Sequence, residues 1–166
     1  MRRAVVLFTA VVHLLLLDAV TKELAVLRLG DGSPPVAVAG FLNLAYVENR
    51  GCAWGMFQGQ VWLLAAFAAV ALAALAWKRR EVFMADASGW RRVAGRVAEA
   101  LLYAGILGNF IDRVWRGYVI DFIDFHWGAS HFPCFNVADS YITVAAALLV
   151  AMSFGAKTQG EAKGAA

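Results

Sequence analysis

An uninterrupted run of uncharged, mostly apolar residues at 61–77 ends directly at the basic sequence Lys78-Arg79-Arg80. A helix needs about 20 mostly apolar residues to cross the hydrocarbon core of a bilayer. The rest of the chain has the same character, because 61% of its 166 residues are hydrophobic and only 16% are charged. Soluble domains are usually about 45–50% apolar. We therefore predict a membrane protein and exclude a disordered chain, a coiled coil and a soluble globular enzyme.

Four apolar segments are long enough to be spans, at 4–21, 60–77, 93–111 and 139–156. The third is the weakest because it contains two charges, and we expect Arg96 to reach back to the inner interface beside Glu99. Lys and Arg gather before the first span, between the second and third, and after the fourth. Since basic residues mark cytoplasmic loops, both termini and the loop 78–92 are predicted to be cytoplasmic. Residues 1–166 then form a single membrane domain.

The two outer segments of this topology, 23–59 and 112–138, differ in pattern. In the first, strand-forming residues between Phe41 and Val47 are bounded by Gly and Asn, which predicts a short sheet or hairpin-like element. The second mixes aromatic residues with carboxylates, which indicates an apolar lining or a surface resting on the membrane. The predicted fold class is a mainly α membrane protein with four transmembrane helices and a small extracytoplasmic β-like element.

Carboxylates gather at the outer ends of the predicted spans, at Asp18, Asp112, Asp121, Asp124 and Asp139. Ionisable groups beside apolar spans cost about 2.5–3.5 kcal/mol on insertion scales, so their presence points to a function. Asp121 lies in the loop after the third span and Asp139 opens the fourth, so a turn can bring them together. Two carboxylates in a cleft of low dielectric share one proton. Such a pair can activate a water and protonate a leaving amine, which suits peptide hydrolysis.

The same acidic residues allow other interpretations. Asp139 could cap the fourth helix, since Asn136, Asp139 and Ser140 are all cap-type residues. Asp121 and Asp124 could be solvated loop acids. The cluster as a whole could be a site for a translocated proton or cation.

Further polar residues of the outer segments leave other sites open. His126 and His131 lie near Asp124 and allow a metal site, although no third ligand is obvious. Cys52 and Cys134 both face outward in this topology and are as consistent with free thiols as with a disulfide. Bulk nucleic-acid binding is excluded, because the basic residues flank apolar runs rather than lining one face.

Four short sequence blocks lie at the outer ends of the predicted spans. They are Asp18-Ala19-Val20-Thr21-Lys22, Asn49-Arg50-Gly51-Cys52-Ala53-Trp54-Gly55, Gly108-Asn109-Phe110-Ile111-Asp112-Arg113 followed by Val119-Ile120-Asp121-Phe122, and Phe135-Asn136-Val137-Ala138-Asp139-Ser140. In this order they resemble the motifs of lipoprotein signal peptidase, also called signal peptidase II, a family of bacterial inner-membrane aspartic proteases. The resemblance covers nearly the whole chain. Cys52 departs from the family pattern, in which a small residue such as Ala is commoner, and we expect no effect on the chemistry.

The resemblance implies a role for each matched residue. Asp121 and Asp139 would be the catalytic pair, and Asn49 and Gly51 would contact the substrate near its lipid-bearing residue. Three polar residues would line the site and hold the pair or the substrate backbone: Asn109, Arg113 and Asn136. Three charged residues would support the site and its outer rim: Asp18, Lys22 and Asp112.

The resemblance also implies a reaction and a location. The enzyme would remove the signal peptide from diacylglyceryl-modified prolipoproteins by cutting on the N-terminal side of the lipidated Cys, without a metal or organic cofactor. Its partners would be lipid-modified prolipoproteins and membrane lipid, without nucleic acid, and we expect a monomer. It would be a multi-pass protein of the bacterial cytoplasmic (inner) membrane, with its active site towards the outer face.

Two other functional classes use the same residues. A small proton- or cation-coupled transporter would use the Asp cluster, but it predicts polar residues continuing to the cytoplasmic side, and the second span has none. A non-catalytic lipid-binding or assembly protein would keep its function when Asp121 is replaced by Asn, whereas a hydrolase would lose it.

Overall fold

The computed structural model describes residues 2–83 and 87–164, with side chains described as far as Phe154. These residues form a mainly helical chain with a small antiparallel sheet, as the sequence predicts. The elements in chain order are α1 (Arg2–Leu29), β1 (Val36–Ala39), β2 (Leu42–Asn49), a 3-10 turn (Ala53–Gly55), α2 (Val61–Trp77), α3 (Arg79–Val82), α4 (Gly89–Arg116), β3 (Val119–Trp127), β4 (Ser130–His131) and α5 (Val137–Gly164).

Within the described ranges, two helices are long and apolar enough to cross a membrane, Arg2–Leu29 and Val137–Phe154. Helix α2 is uncharged along its length but shorter, at 17 residues. Each predicted span coincides with a helix, although α1 continues to Leu29 and α4 to Arg116. The four-span topology and the side of the membrane on which each terminus lies stay predictions.

The sheet has the strand order β1-β2-β3-β4, and each pair of neighbours is antiparallel. Strand β2 contains most of the segment predicted to be extended. The prediction of a loop around Asp121 is wrong, because this residue lies on the inner strand β3, paired with Val47 of β2. The first four residues of β3 are all buried, so both faces of the strand are covered. A strand covered on both faces shows no alternation of polar and apolar residues, which hid it in the sequence.

The junction between α4 and β3 is set by Gly117. Its φ of 79° lies in the left-handed region, and its N–H donates to the carbonyl of Arg113. This is a common way for a helix to end, since glycine adopts this conformation without steric cost. The chain then enters β3, whose Ile120 and Phe122 pack against Ala25 of α1. The turn thus sets Asp121 on a strand that rests against α1.

Helices α4 and α5 lie close together because small residues face each other. A Cβ atom added at Gly105 would lie 2.6 Å from the carbonyl oxygen of Ala138 and 2.7 Å from Cγ1 of Ile142. Small residues let two helix backbones approach in this way. Asn109 lies one turn after Gly105, so the close contact sets its side chain beside the N-terminus of α5.

At the other end of α4, Glu99 pairs with a different residue from the one expected. Its side chain is 2% exposed and accepts a hydrogen bond from Nε of Arg79, the first residue of α3. The prediction that Glu99 pairs with Arg96 is therefore wrong: among the described residues, Glu99 pairs with Arg79. Arg96 is exposed, whereas the glutamate side chain is buried towards α3.

Gly105→Ala is expected to lower the thermal unfolding midpoint, because its new Cβ would meet the backbone of α5. Overpacking costs about 1–3 kcal/mol, whereas the gain in helix propensity is about 1 kcal/mol. Tryptophan fluorescence during heating in detergent measures the change. Gly40→Ala is the control, since nothing lies within 4 Å of its Cβ position. A Gly105 variant that melts with the wild type would contradict the close packing.

Candidate active site

Asp121 and Asp139 come from different elements and line the same cleft, which has a volume of about 530 Å³. Asp121 lies on β3 and is 2% exposed, so it is not a solvated loop acid. Asp139 is half-buried in the first turn of α5. The cleft wall also includes polar residues of β2 and α4 and three aromatic residues: Asn49, Asn109, Arg113, Trp54, Phe132 and Phe135.

Three asparagine side chains hold the two carboxylates. Asn49 donates to Oδ2 of Asp121 at 2.9 Å, and Asn109 donates to Oδ1 of Asp139 at 2.7 Å. The fully buried Asn136 donates to Oδ1 of Asp121 at 2.8 Å and to Oδ1 of Asn109 at 3.2 Å. A continuous chain of hydrogen bonds therefore joins one carboxylate to the other through two amides.

Asp139 also takes part in starting α5. The N-cap is Asn136, and Asp139 occupies the third helical position, so the interpretation of Asp139 as the cap is wrong. Oδ1 of Asn136 accepts from the backbone N–H of Asp139 at 2.9 Å, and Oδ2 of Asp139 accepts from the backbone N–H of Asn136 at 3.1 Å. This reciprocal arrangement is a capping box. It fixes the direction of the carboxylate with respect to the helix axis.

The environment of Asp121 favours its protonated form. Burial raises the pKa of Asp121 to about 7, and the negative charge of Asp139 adds to the rise. The hydrogen bonds from Asn49 and Asn136 lower this pKa, but they do not cancel the effect of burial. Two interacting carboxylates titrate as a unit. The arrangement can therefore hold one proton between two acids near neutral pH.

Behind Asn109 lies a buried ammonium group. Nζ of Lys22 is 2.8 Å from carboxylate oxygens of both Asp18 and Asp112, and it donates to Oδ1 of Asn109 at 3.0 Å. Lys22 and Asp18 are each 2% exposed. Asp18 also accepts from the backbone N–H of Ala138 at 2.9 Å. The ion cluster thus holds α1, α4 and α5 together. It also orients the side-chain amide of Asn109, which donates to Asp139.

Arg113 connects α4 to the turn that follows β2. Its Nη2 donates to the carbonyl of Gly51 at 3.1 Å, and its Nη1 donates to the carbonyl of Asn109 at 3.2 Å. The N–H of Gly51 in turn donates to Oδ1 of Asn49 at 2.9 Å. This last bond fixes the orientation of the Asn49 amide, so that its NH₂ group points at Asp121.

Asp124 lies on the same strand as Asp121 but does not line the cleft. It is held by Nδ1 of His131 at 2.8 Å and by Nδ2 of Asn43 at 3.2 Å. His126 stacks on His131 with 5.4 Å between ring centroids. Among the described residues, no group of three His, Cys, Asp or Glu side chains has the arrangement of a metal site.

Several cleft residues were not predicted from the sequence. Cys134 belongs to a loop without a motif, so no sequence signal marked it as a cleft residue, whereas Phe132 is one of the aromatic residues of the segment 112–138 that indicated an apolar lining. Thr143 lines the cleft four residues after Asp139, and helical spacing alone would have placed it there. Cys52 and Cys134 both line the cleft as free cysteines. Burial raises the pKa of Cys134 to about 12, so its thiol stays neutral.

The family model for signal peptidase (SPase) II matches residues 10–155 of the chain. The chain belongs to this family. It is 39% identical over 135 residues to the lipoprotein signal peptidase of Bacillus pumilus (strain SAFR-032), covering 80% of this chain and 82% of the relative. It is 41% identical over 138 residues to that of Thermodesulfovibrio yellowstonii, covering 82% of this chain and 86% of the relative.

Two solved structures, each described as a bacterial membrane enzyme, are similar to the signal peptidase II fold seen here. The first has a TM-score of 0.76 and 32% sequence identity, and the match covers 93% of this chain and 90% of that one. The second has a TM-score of 0.70 and 34% identity, with coverage of 87% and 90%. The family resemblance expected from four sequence blocks is confirmed, and the chain is a protease. This assignment replaces the interpretation of the chain as a transporter.

Lys22→Met is expected to destabilise this signal peptidase II fold, because it leaves Asp18 and Asp112 buried without a cation. Removing one partner of a buried ion pair costs about 3–5 kcal/mol. The triple variant that also carries Asp18→Asn and Asp112→Asn is expected to regain part of this loss, since no unpaired charge stays buried. Unfolding in detergent, followed by tryptophan fluorescence, measures both variants.

Lys78→Met is the control for the loss of a lysine. Lys78 pairs with Glu81 at the surface, where both side chains are more than half exposed. Such pairs contribute less than about 1 kcal/mol. Equal unfolding of the Lys22 single variant and the wild type would show that the buried cluster does not hold the helices together.

Proposed function

We propose that this chain removes the signal peptide from diacylglyceryl-modified prolipoproteins by an aspartic mechanism, cutting on the N-terminal side of the lipidated Cys. The observation that carries the proposal is the buried carboxylate of Asp121, joined through two asparagine amides to Asp139 in one cleft. The substrate class is supported by the relatives, which are named lipoprotein signal peptidases.

In the resting pair the proton resides on Asp121. Burial raises the pKa of this group to about 7, with the negative charge of Asp139 as the second cause. Asp139 is the ionised member. It lies at the N-terminus of α5 and accepts from a backbone N–H and from Asn109. A helix N-terminus and direct N–H donors both favour a negative charge.

The two protonation states divide the chemistry between the carboxylates. Asp139 takes a proton from water as the water oxygen bonds to the scissile carbonyl carbon, and Asp121 gives its proton to the carbonyl oxygen. The tetrahedral intermediate then has two hydroxyl groups. Its C–N bond breaks as the Cys nitrogen takes the proton from Asp139, while one hydroxyl returns a proton to Asp121. The products are a carboxylic acid and an amine, and both acids regain their starting states.

The cleft shape supports entry of the substrate from the membrane. Its wall continues along α5 through Ile142 and Val144, and Val144 is 49% exposed. We propose that the acyl chains stay in lipid beside this apolar side while the peptide reaches the carboxylates. Asn49 and Gly51 would contact the substrate near its lipid-bearing residue, and Arg113 would hold the Gly51 turn in place.

The proposed setting is the bacterial cytoplasmic membrane. The long apolar helices α1 and α5 and the basic clusters beside the apolar segments support a multi-pass protein with both termini inside. We propose that it acts as a monomer. The cleft would then open towards the outer face. Membrane lipid and lipid-modified prolipoproteins are its proposed partners.

Asp121→Asn and Asp139→Asn are each expected to lower kcat by at least about 10³-fold. Asp121→Asn removes the group that protonates the carbonyl oxygen, and Asp139→Asn removes the group that takes a proton from water. Cleavage of a purified diacylglyceryl-modified prolipoprotein in detergent, with EDTA present, measures the loss. Asp124→Asn is the matched control. It removes a carboxylate from the same strand, outside the cleft, and is expected to keep wild-type activity.

Thermal unfolding of each variant separates loss of chemistry from loss of fold. The aspartic assignment fails if folded Asp121→Asn and Asp139→Asn cleave at the wild-type rate. Loss of wild-type cleavage in EDTA would instead show dependence on a metal. A wild-type protein that leaves the lipidated substrate uncut would overturn the substrate class.

The rate of cleavage is expected to fall as the pH rises through about 7, because the pKa of Asp121 is raised to about 7 by burial and then by Asp139. Above that pH the general acid is deprotonated. Asn49→Ala removes a hydrogen bond that lowers this pKa, so the alkaline limb of its pH–rate profile is expected to move to higher pH. Profiles of kcat against pH for the wild type and Asn49→Ala measure the direction in which the alkaline limb moves. A limb that stays in place would mean that another group sets it.

A further inference from the structure

A second cleft lies towards the other end of the helices from Asp121 and Asp139. It is enclosed by the first turns of α1, by α3 and by the first half of α4, and its volume is about 340 Å³. Arg2 is sixteen residues before Asp18 on α1, which places this cleft about 24 Å from the buried ion cluster. Its wall combines four apolar residues with five charged ones: Arg2, Arg3, Arg79, Arg96 and Glu99.

The cleft contains a buried hydrogen-bond donor that lacks an acceptor. Nε of Arg79 donates to Glu99, whose side chain is 2% exposed, so the glutamate charge is already compensated. Nη2 of Arg79 is buried and has no hydrogen-bond partner among the described residues. Buried donors of this kind are rarely left unpaired. An acceptor oxygen bound in the cleft would supply the missing partner.

Three more arginines line the same cleft as this donor. Arg2, Arg3 and Arg96 are exposed and line the cleft. No hydrogen bond or ion pair to another described residue involves them. Since Arg79 and Glu99 compensate each other, the cleft keeps three positive charges. The planar guanidinium fork matches the oxygens of a phosphate group, which makes phosphate the anion that this set of donors fits.

The other half of the wall is apolar. Val6, Leu7 and Ala10 follow one face of α1 away from the arginines, and Ala100 faces them from α4. Val6 is 68% exposed, so this face is open to a long apolar ligand. A free phosphate ion would leave it uncovered, whereas the acyl chain of a phospholipid would lie along it. We propose that this cleft binds the phosphate headgroup of an anionic phospholipid, with an acyl chain along the exposed side of α1.

Lipid binding to the detergent-purified full chain tests the proposal. Native mass spectrometry counts phosphatidylglycerol bound at increasing lipid concentration, with phosphatidylcholine as the zwitterionic comparison. The test variant is Arg2→Gln/Arg3→Gln/Arg96→Gln. Each basic residue lost near a phosphate is expected to weaken phosphatidylglycerol binding about fivefold, or about 100-fold for all three. The control is Lys78→Gln/Arg91→Gln/Arg92→Gln, which removes the same charge from residues that do not line the cleft.

Selective loss in the test variant, with phosphatidylglycerol preferred over phosphatidylcholine, supports the proposal. Equal loss in both triple variants overturns it, because the effect would then follow net charge alone. Equal binding of the two lipids overturns it as well. Displacement of the lipid by millimolar inorganic phosphate would show that the site takes free phosphate and that the acyl chain contributes nothing. If the triple variant does not fold, Arg96→Gln alone replaces it, with an expected fivefold loss.

Discussion

The candidate site depends on which groups donate hydrogen bonds to one buried carboxylate. Asp121 is 2% exposed, and its two oxygens accept from the neutral amides of Asn49 and Asn136 rather than from a cation. Amide donors satisfy the oxygens without supplying a compensating charge. Burial and the neighbouring Asp139 therefore raise the pKa of Asp121 to about 7. A lysine or arginine in direct contact would have lowered it and would have kept the acid ionised at neutral pH.

The one buried ammonium group described near the cleft is used elsewhere. Lys22 forms ion pairs with Asp18 and Asp112, so its charge is largely balanced there, and it lowers the pKa of Asp121 less than burial and Asp139 raise it. It contributes to the cleft through the oxygen of Asn109, whose NH₂ group then points at Asp139. The fold thus separates two tasks. Charged groups hold the helices together, and neutral amides hold the reacting acids.

The sequence predicted those features that have a local signature. Apolar runs between basic clusters marked the helices, and the four short sequence blocks marked the site residues. Both kinds of pattern are formed by residues that are close together in the sequence. Strand β3 was missed because its first residues are buried on both faces and so show no alternation. The pairing of Glu99 with Arg79 and the placement of Cys134 in the cleft depend on contacts between distant segments. No local pattern encodes such contacts.

The capping box at the start of α5 fixes the position of Asp139 relative to Asn136. Asn136 begins the helix and holds Asp121, while Asp139 lies three residues later and bonds back to the backbone of Asn136. Each residue of an α-helix turns the chain by about 100°. Inserting or deleting a single residue between these two positions would point the carboxylate away from the cleft, even if the helix still formed. The spacing of three residues from Asn136 to Asp139 is therefore a geometric requirement of the site and not only of the helix.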